Sequence, residues 1–202
     1  MLKASGNTSL ARRYVNEGND LVREGQVAEA IVRYQRAIEL QPQDEDAHFS
    51  LGIAYGRIKE YDKSIHHYSE AIRIMPGYTE AHINLGNLLA NLGRLDNAIE
   101  HFQTALNIMP QSASAHNNLG TVLVRQGKTE EAMRCFAEAV RLMPDYVEAH
   151  INLGNSLVSQ GRTTEGTRHL EEALRLRPGF EPALLSLQRA QGRTNQLLPL
   201  PK

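Results

Sequence analysis

Residues 79–112 read TEAHINLGNLLANLGRLDNAIEHFQTALNIMPQS, and this stretch decides the fold. Its apolar residues fall into two stripes of helical period. Ile83, Leu85, Leu88, Leu89 and Leu92 form the first. Leu95, Ala98, Ile99, Phe102, Ala105 and Leu106 form the second. Gly93 separates them, and Pro110 forbids continuation of the second helix because it lacks the N–H donor. The stretch is therefore a helical hairpin. Its opening run Glu80–Asn87 recurs identically as Glu148–Asn155.

Proline stands at Pro42, Pro76, Pro110, Pro144 and Pro178, a constant spacing of 34 that takes in five of the chain's 8 prolines. A fixed period of this length is the signature of a repeat array. The predicted units are 11–44, 45–78, 79–112, 113–146 and 147–180. The eighth column is then Gly18, Gly52, Gly86, Gly120 and Gly154; the twentieth is Ala30, Ser64, Ala98, Ala132 and Gly166. The twenty-fourth is Tyr34, Tyr68, Phe102, Phe136 and Leu170, and the twenty-seventh is alanine throughout. A glycine inside a helix costs about 1 kcal/mol relative to alanine. Five retained glycines therefore imply close helix approach, and the small twentieth column is the expected partner, with the aromatic column filling the space between units. Gly166 within Arg162–Thr167 predicts a weakened, mobile second helix in the fifth unit.

These columns resemble those of the tetratricopeptide repeat (TPR) family over residues 11–180. The resemblance implies an all-α fold, a right-handed superhelical solenoid of antiparallel helix pairs. Its first helices would line a concave groove and its second helices the convex back. Residues 181–193 are expected to form a closing helix, with Leu184, Leu185 and Leu187 covering the last unit. Residues 1–9 and 194–202 read as loose tails.

The 202 residues carry 22 basic and 23 acidic side chains. This balance lacks the positive footprint of a nucleic-acid binder. No window approaches 18 apolar residues, so no membrane insertion is expected. The start, Met1–Gly6, has no apolar core of signal-peptide length, which makes the cytoplasm the default expectation. The single cysteine, Cys135, excludes an intramolecular disulfide and any CxxC site.

No catalytic, nucleotide-binding or calcium-loop motif is present, so neither enzymatic activity nor a cofactor is expected. Histidines occupy two columns: His48, His82, His116 and His150 at the fourth position, and His67, His101 and His169 at the twenty-third. Adjacent helices pack about 8–10 Å apart, whereas metal ligands lie about 2 Å from one centre. Successive members of one column therefore cannot share an ion, and partly buried, hydrogen-bonded rings are expected instead.

The functional signal is an asparagine ladder. The sixth column reads Asn16, Ser50, Asn84, Asn118 and Asn152; the ninth includes Asn19, Asn87, Thr121 and Asn155. Three residues apart on the first helix, they share one face. Asparagine is a poor helix-interior residue, but its amide both donates and accepts, so it can pair with any peptide backbone. Rungs about 10 Å apart match about three residues of extended chain, or about 15 over five rungs. The competing reading is an idle, solvated helix surface. Arg57 and Arg125 stand near the inner edge and Asp46, Glu80 and Glu148 at the mouth, giving a groove of mixed charge.

The ladder is similar to the repeat domain of O-GlcNAc transferase. That resemblance implies that Asn16, Asn84, Asn118 and Asn152, with their neighbours, hold a protein segment in extended form. The groove lacks most of the basic residues with which chaperone-tail binders of the same family clamp a carboxylate. The expectation is a non-catalytic scaffold for an extended protein or peptide. The alternatives are self-assembly as a homo-oligomer through the solenoid ends, and a repeat domain belonging to a larger enzyme such as a glycosyltransferase.

Overall fold

The structure, a computed structural model, describes residues 2–192, with side chains from residue 7 onward. Eleven helices and no strand occur among the described residues. They fall into two compact units, residues 1–108 and 109–202.

The first unit holds α1 (Leu2–Arg23), α2 (Val27–Leu40), α3 (Glu45–Arg57), α4 (Tyr61–Ile74), α5 (Thr79–Asn91) and α6 (Leu95–Ile108). They form three hairpins, α1–α2, α3–α4 and α5–α6, and successive hairpins stack through α2 on α3 and α4 on α5. The second unit holds α7 (Ala113–Arg125), α8 (Thr129–Leu142), α9 (Val147–Ser159), α10 (Thr163–Leu176) and α11 (Glu181–Ala190). Its hairpins α7–α8 and α9–α10 stack through α8 and α9, and α11 packs on both α9 and α10. Each unit is a helical solenoid of helix pairs. Within each, first helices approach one another (α1–α3 and α3–α5; α7–α9), whereas no such contact joins second helices among the described residues. The first helices thus form the tighter, inner face of each stack.

The proline column sets the length of every second helix. α2, α4, α6, α8 and α10 each stop two residues before their proline. The intervening residue takes extended backbone, as at Gln41 (φ −139°) and Met143 (φ −135°), because the proline ring excludes the helical region for its predecessor. The hairpin turn needs a left-handed residue. Gly93 supplies it at φ 80°, but the second hairpin places Lys59 there at φ 62°.

In the first four hairpins the atoms nearest the glycine are those of the aromatic column, while in the fifth Gly154 and Gly166 meet as anticipated. A Cβ on Gly120 would lie 2.6 Å from Phe136, and one on Gly18 2.5 Å from Tyr34. The small column contributes in particular places: the fully buried Ser64 donates to the Gly52 carbonyl at 2.7 Å. In the fifth hairpin Leu170 replaces the aromatic, and the backbones close in. A Cβ on Gly166 would meet the Gly154 carbonyl at 2.7 Å and Val158 at 2.6 Å. Gly166 is therefore a packing requirement, and α10 has the same 14 residues as the other second helices.

Two tail expectations meet different outcomes. Residues 2–9 are the opening turns of α1, not a loose tail. Once α1 is nucleated, extending it costs little, and no proline precedes residue 42. The tail expected over 194–202 lies outside the described residues. In α11, Ala183 is fully buried and Leu187 packs against the terminal core, while Leu185 points outward, 42% exposed. Glu17, the polar departure in a leucine column, pairs with Arg13 and Arg33 at 3.3 Å each.

Two substitutions test this packing. Gly120→Ala drives its methyl into Phe136 and should cost about 1–3 kcal/mol in urea unfolding; an unchanged midpoint contradicts the contact. Lys59→Gly relieves a left-handed residue worth about 1–2 kcal/mol, less the entropy gained by the unfolded chain. It should raise stability by about 0.5–1 kcal/mol, whereas a loss refutes the strain.

Candidate functional site

Three predicted ladder residues meet in the first unit. Asn16, Asn19 and Ser50 line one cleft of about 600 Å³ between α1 and α3. Its apolar floor is Val15, Phe49 and Ile53. Phe49 packs against Tyr78 with ring centres 4.9 Å apart and against Tyr68 at 5.8 Å. The rim carries Arg12 on one side and Asp44, Glu45 and Asp46 on the other. The Tyr78 hydroxyl donates to Asp46 at 2.7 Å. Burial, and then that bond to Asp46, push the Tyr78 phenol well above its ordinary range.

Local sequence places these groups. Asp44 accepts from the Ala47 N–H at 2.8 Å and so caps α3. Its charge is thereby fixed at the cleft rim. Tyr34, packed on Gly18, reaches through the hairpin and donates its hydroxyl to Asn19 Oδ1 at 2.8 Å. Burial raises the pKa of this phenol, and Ser50 on the next first helix opposes the rise. The Tyr34 bond takes up one acceptor site of the Asn19 oxygen. Tyr34 is not among the site residues expected from the sequence. The signal was the hydroxyl itself, since the same column is phenylalanine in the third and fourth repeats.

Asn84 and Asn87 lie half-buried on α5, outside the lining of this cleft. Arg57 is exposed in the last turn of α3.

The second unit organises its amides differently. Asn152 donates to Asn117 Oδ1 at 2.9 Å, and Asn117 donates in turn to Asn118 Oδ1 at 3.4 Å. Asn117 is only 6% exposed. This buried amide in the fifth column orients both rungs, a role that the face assignment alone did not reveal. Thr121 turns its hydroxyl onto its own helix, donating to the Asn117 carbonyl at 3.0 Å. Asn155 is exposed, as is Arg125 in the last turn of α7. The arrangement therefore brings Asn118 and Asn152 together through Asn117, and Thr121 does not join them.

The two histidine columns, treated separately above, meet each other. His48 and His67 stand 3.1 Å apart between Nδ1 atoms, His82 and His101 3.0 Å, and His150 and His169 3.1 Å. No group of three or more His, Cys, Asp or Glu side chains able to hold a metal occurs among the described residues. Burial raises the Cys135 thiol pKa, which disfavours its reactive thiolate. No described helix is long and apolar enough to cross a membrane.

Solved structures share this architecture. PilF of Pseudomonas aeruginosa superposes with a TM-score of 0.84 at 19% identity, over 93% of this chain and 87% of that one. MamA from Desulfovibrio magneticus RS-1 gives 0.75 at 19% identity, over 85% and 97%. YrrB, a TPR protein with an unusual peptide-binding site, gives 0.69 at 23% identity, over 85% and 88%. Likeness at such identities shows the fold. No curated protein matches the sequence significantly. The family model of the cilia and flagella-associated protein 70 C-terminal domain, a TPR domain, matches residues 1–197. The 34-residue columns, the stacked hairpins and this match over nearly the whole chain lead to one conclusion: the protein belongs to the TPR family of the cilia and flagella-associated protein 70 C-terminal domain.

Proposed function

We propose that this protein is a non-catalytic interaction scaffold that holds an extended peptide segment against the inner faces of its first helices. One observation carries the reading: Asn16, Asn19 and Ser50, singled out as peptide-backbone partners, converge on the cleft floored by Phe49. An amide rung beside an apolar floor suits a peptide. The amides take its backbone groups, and the floor takes one side chain in every two. The rim, with Arg12 against three carboxylates, suits a segment of mixed charge. In the second unit the Asn152–Asn117–Asn118 chain holds two further amides in fixed orientation, which lowers the entropy lost on binding. The peptide-binding site named for YrrB is a property of that protein, and it supports the reading by likeness of fold.

The test uses peptides of about 15 residues, selected from a displayed random library on the wild-type chain. Their affinity is then measured by fluorescence anisotropy for wild type and for Asn16→Ala/Asn84→Ala. Asn118 and Asn152 are left intact, because removing either strips the buried Asn117 amide of a partner. Each lost bond should weaken binding by about 0.5–1.5 kcal/mol, while helicity holds, since alanine is the better helix former. Unchanged affinity removes the ladder as the working surface and favours the ends or the outer face.

A further inference from the structure

The histidine pairs join the two helices of a hairpin through their side chains. In each pair the inner ring belongs to a first helix: His48 on α3, His82 on α5, His150 on α9. These rings are 5–7% exposed. Each places Nε2 on the carbonyl of the proline that ends the preceding repeat: His48 on Pro42 at 3.1 Å, His82 on Pro76 at 3.2 Å, His150 on Pro144 at 3.0 Å. The outer ring belongs to the second helix of the same hairpin. One imidazole thus clasps the inter-repeat turn with one nitrogen and the hairpin partner with the other.

The proton positions follow from the partners. A carbonyl only accepts, so the inner ring carries its proton on Nε2. In the neutral ring Nδ1 is then an acceptor, and the outer ring must donate from its own Nδ1. Ring centres lie 5.2–5.3 Å apart. Most of the separation beyond the bond is therefore the two ring radii, and the nitrogens face each other head-on. One proton on the outer Nε2 leaves this bond intact. A second proton would place two N–H groups and two positive charges nose to nose. Each pair can hold its geometry with at most one added proton.

We infer that the His48–His67, His82–His101 and His150–His169 pairs form a proton-sensitive latch that ties each hairpin to the preceding repeat and releases it on acidification. The carboxylates facing the pairs offset the repulsion within a doubly protonated pair only weakly. Around His67 the facing groups are His66 and Glu70 on its own helix and Tyr55 of α3, which stacks on it at 5.4 Å. Lys63 lies over the far side of that tyrosine. Around His101 they are His82 and Glu100. Around His169 they are His150, Glu165 and Glu172. Arginines already engage three of these carboxylates: Arg73 on Glu70, Arg162 on Glu165 and Arg175 on Glu172. Burial, and then the partner imidazole, depress the proton affinity of the outer rings, that of His67 to a pKa of about 4. Burial lowers His82 as well. The sign follows. The unfolded chain, with histidines near 6.5, binds more protons than the folded one below that pH. The stability from the pairs is complete above pH 6.5 and is lost as pH falls below it, for the His48–His67 pair toward about 4.

The remaining repeats supply an internal contrast. His116 keeps its bond to Pro110 at 3.0 Å, but its column partner is Cys135. The first repeat has Tyr14 and Arg33 at these positions. Only the second, third and fifth hairpins carry the latch.

Two measurements test it. Long-range 15N–1H spectra of the wild type at pH 7.5 should show Nε2–H tautomers for His48, His82 and His150, and Nδ1–H tautomers for His67, His101 and His169. Outer rings found as Nε2–H overturn the proposal without any variant. Thermal unfolding of wild type and of His67→Asn/His101→Asn/His169→Asn is then compared from pH 7.5 to 4.5. Asparagine keeps an N–H donor near the Nδ1 position but cannot titrate. The wild-type Tm should fall roughly twice as far as that of the variant; parallel curves overturn the latch.

Discussion

The first four hairpins each depend on a ring lying against a glycine. Tyr34 on Gly18, Tyr68 on Gly52, Phe102 on Gly86 and Phe136 on Gly120 bring ring carbons to within 2.5–2.8 Å of where a Cβ would stand. No side chain fits there. The contact fixes how closely the two helices approach and how they are rotated about their axes. That rotation decides which residues of the first helix face inward. The fifth hairpin reaches the same end by another route: the aromatic shrinks to Leu170 and a second glycine, Gly166, lets backbone meet backbone. The position of every rung on the inner face follows from this one packing solution.

The same contact links core to site. Tyr34 fills the space over Gly18 and donates its hydroxyl to Asn19. The apolar ring and the polar rung are parts of one side chain. In the second unit the corresponding column is Phe136, which has no hydroxyl, and the buried amide of Asn117 does the orienting instead. Both devices satisfy polar groups that would otherwise be costly to bury.

Much of this was legible in the sequence, because a 34-residue period exposes columns, and columns expose faces. The proline column marked where every second helix stops, and the face assignment put Asn16, Asn19 and Ser50 on one surface. Contacts between columns were less legible. Whether Gly120 meets Ala132 or Phe136 depends on helix rotation, which spacing does not report. The two histidine columns were judged for metal sharing along each column, whereas they pair across the hairpin. Asn117 sits one residue from the ladder, at a repeat position that is otherwise apolar: Val15, Phe49, Ile83 and Ile151. The start of α1 at Leu2 was missed because the repeat register begins at residue 11, and helix propagation does not respect a repeat boundary.

The central claim is that the inner faces of the first helices grip an extended segment. The most direct measurement is side-chain amide and backbone chemical-shift mapping of the labelled protein, titrated with a peptide selected on it. The account predicts that shifts concentrate on Asn16, Asn19, Ser50 and Phe49 in the first unit and on Asn118 and Asn152 in the second. Shifts confined to the second helices, or to α11 and the opening turns of α1, would contradict it.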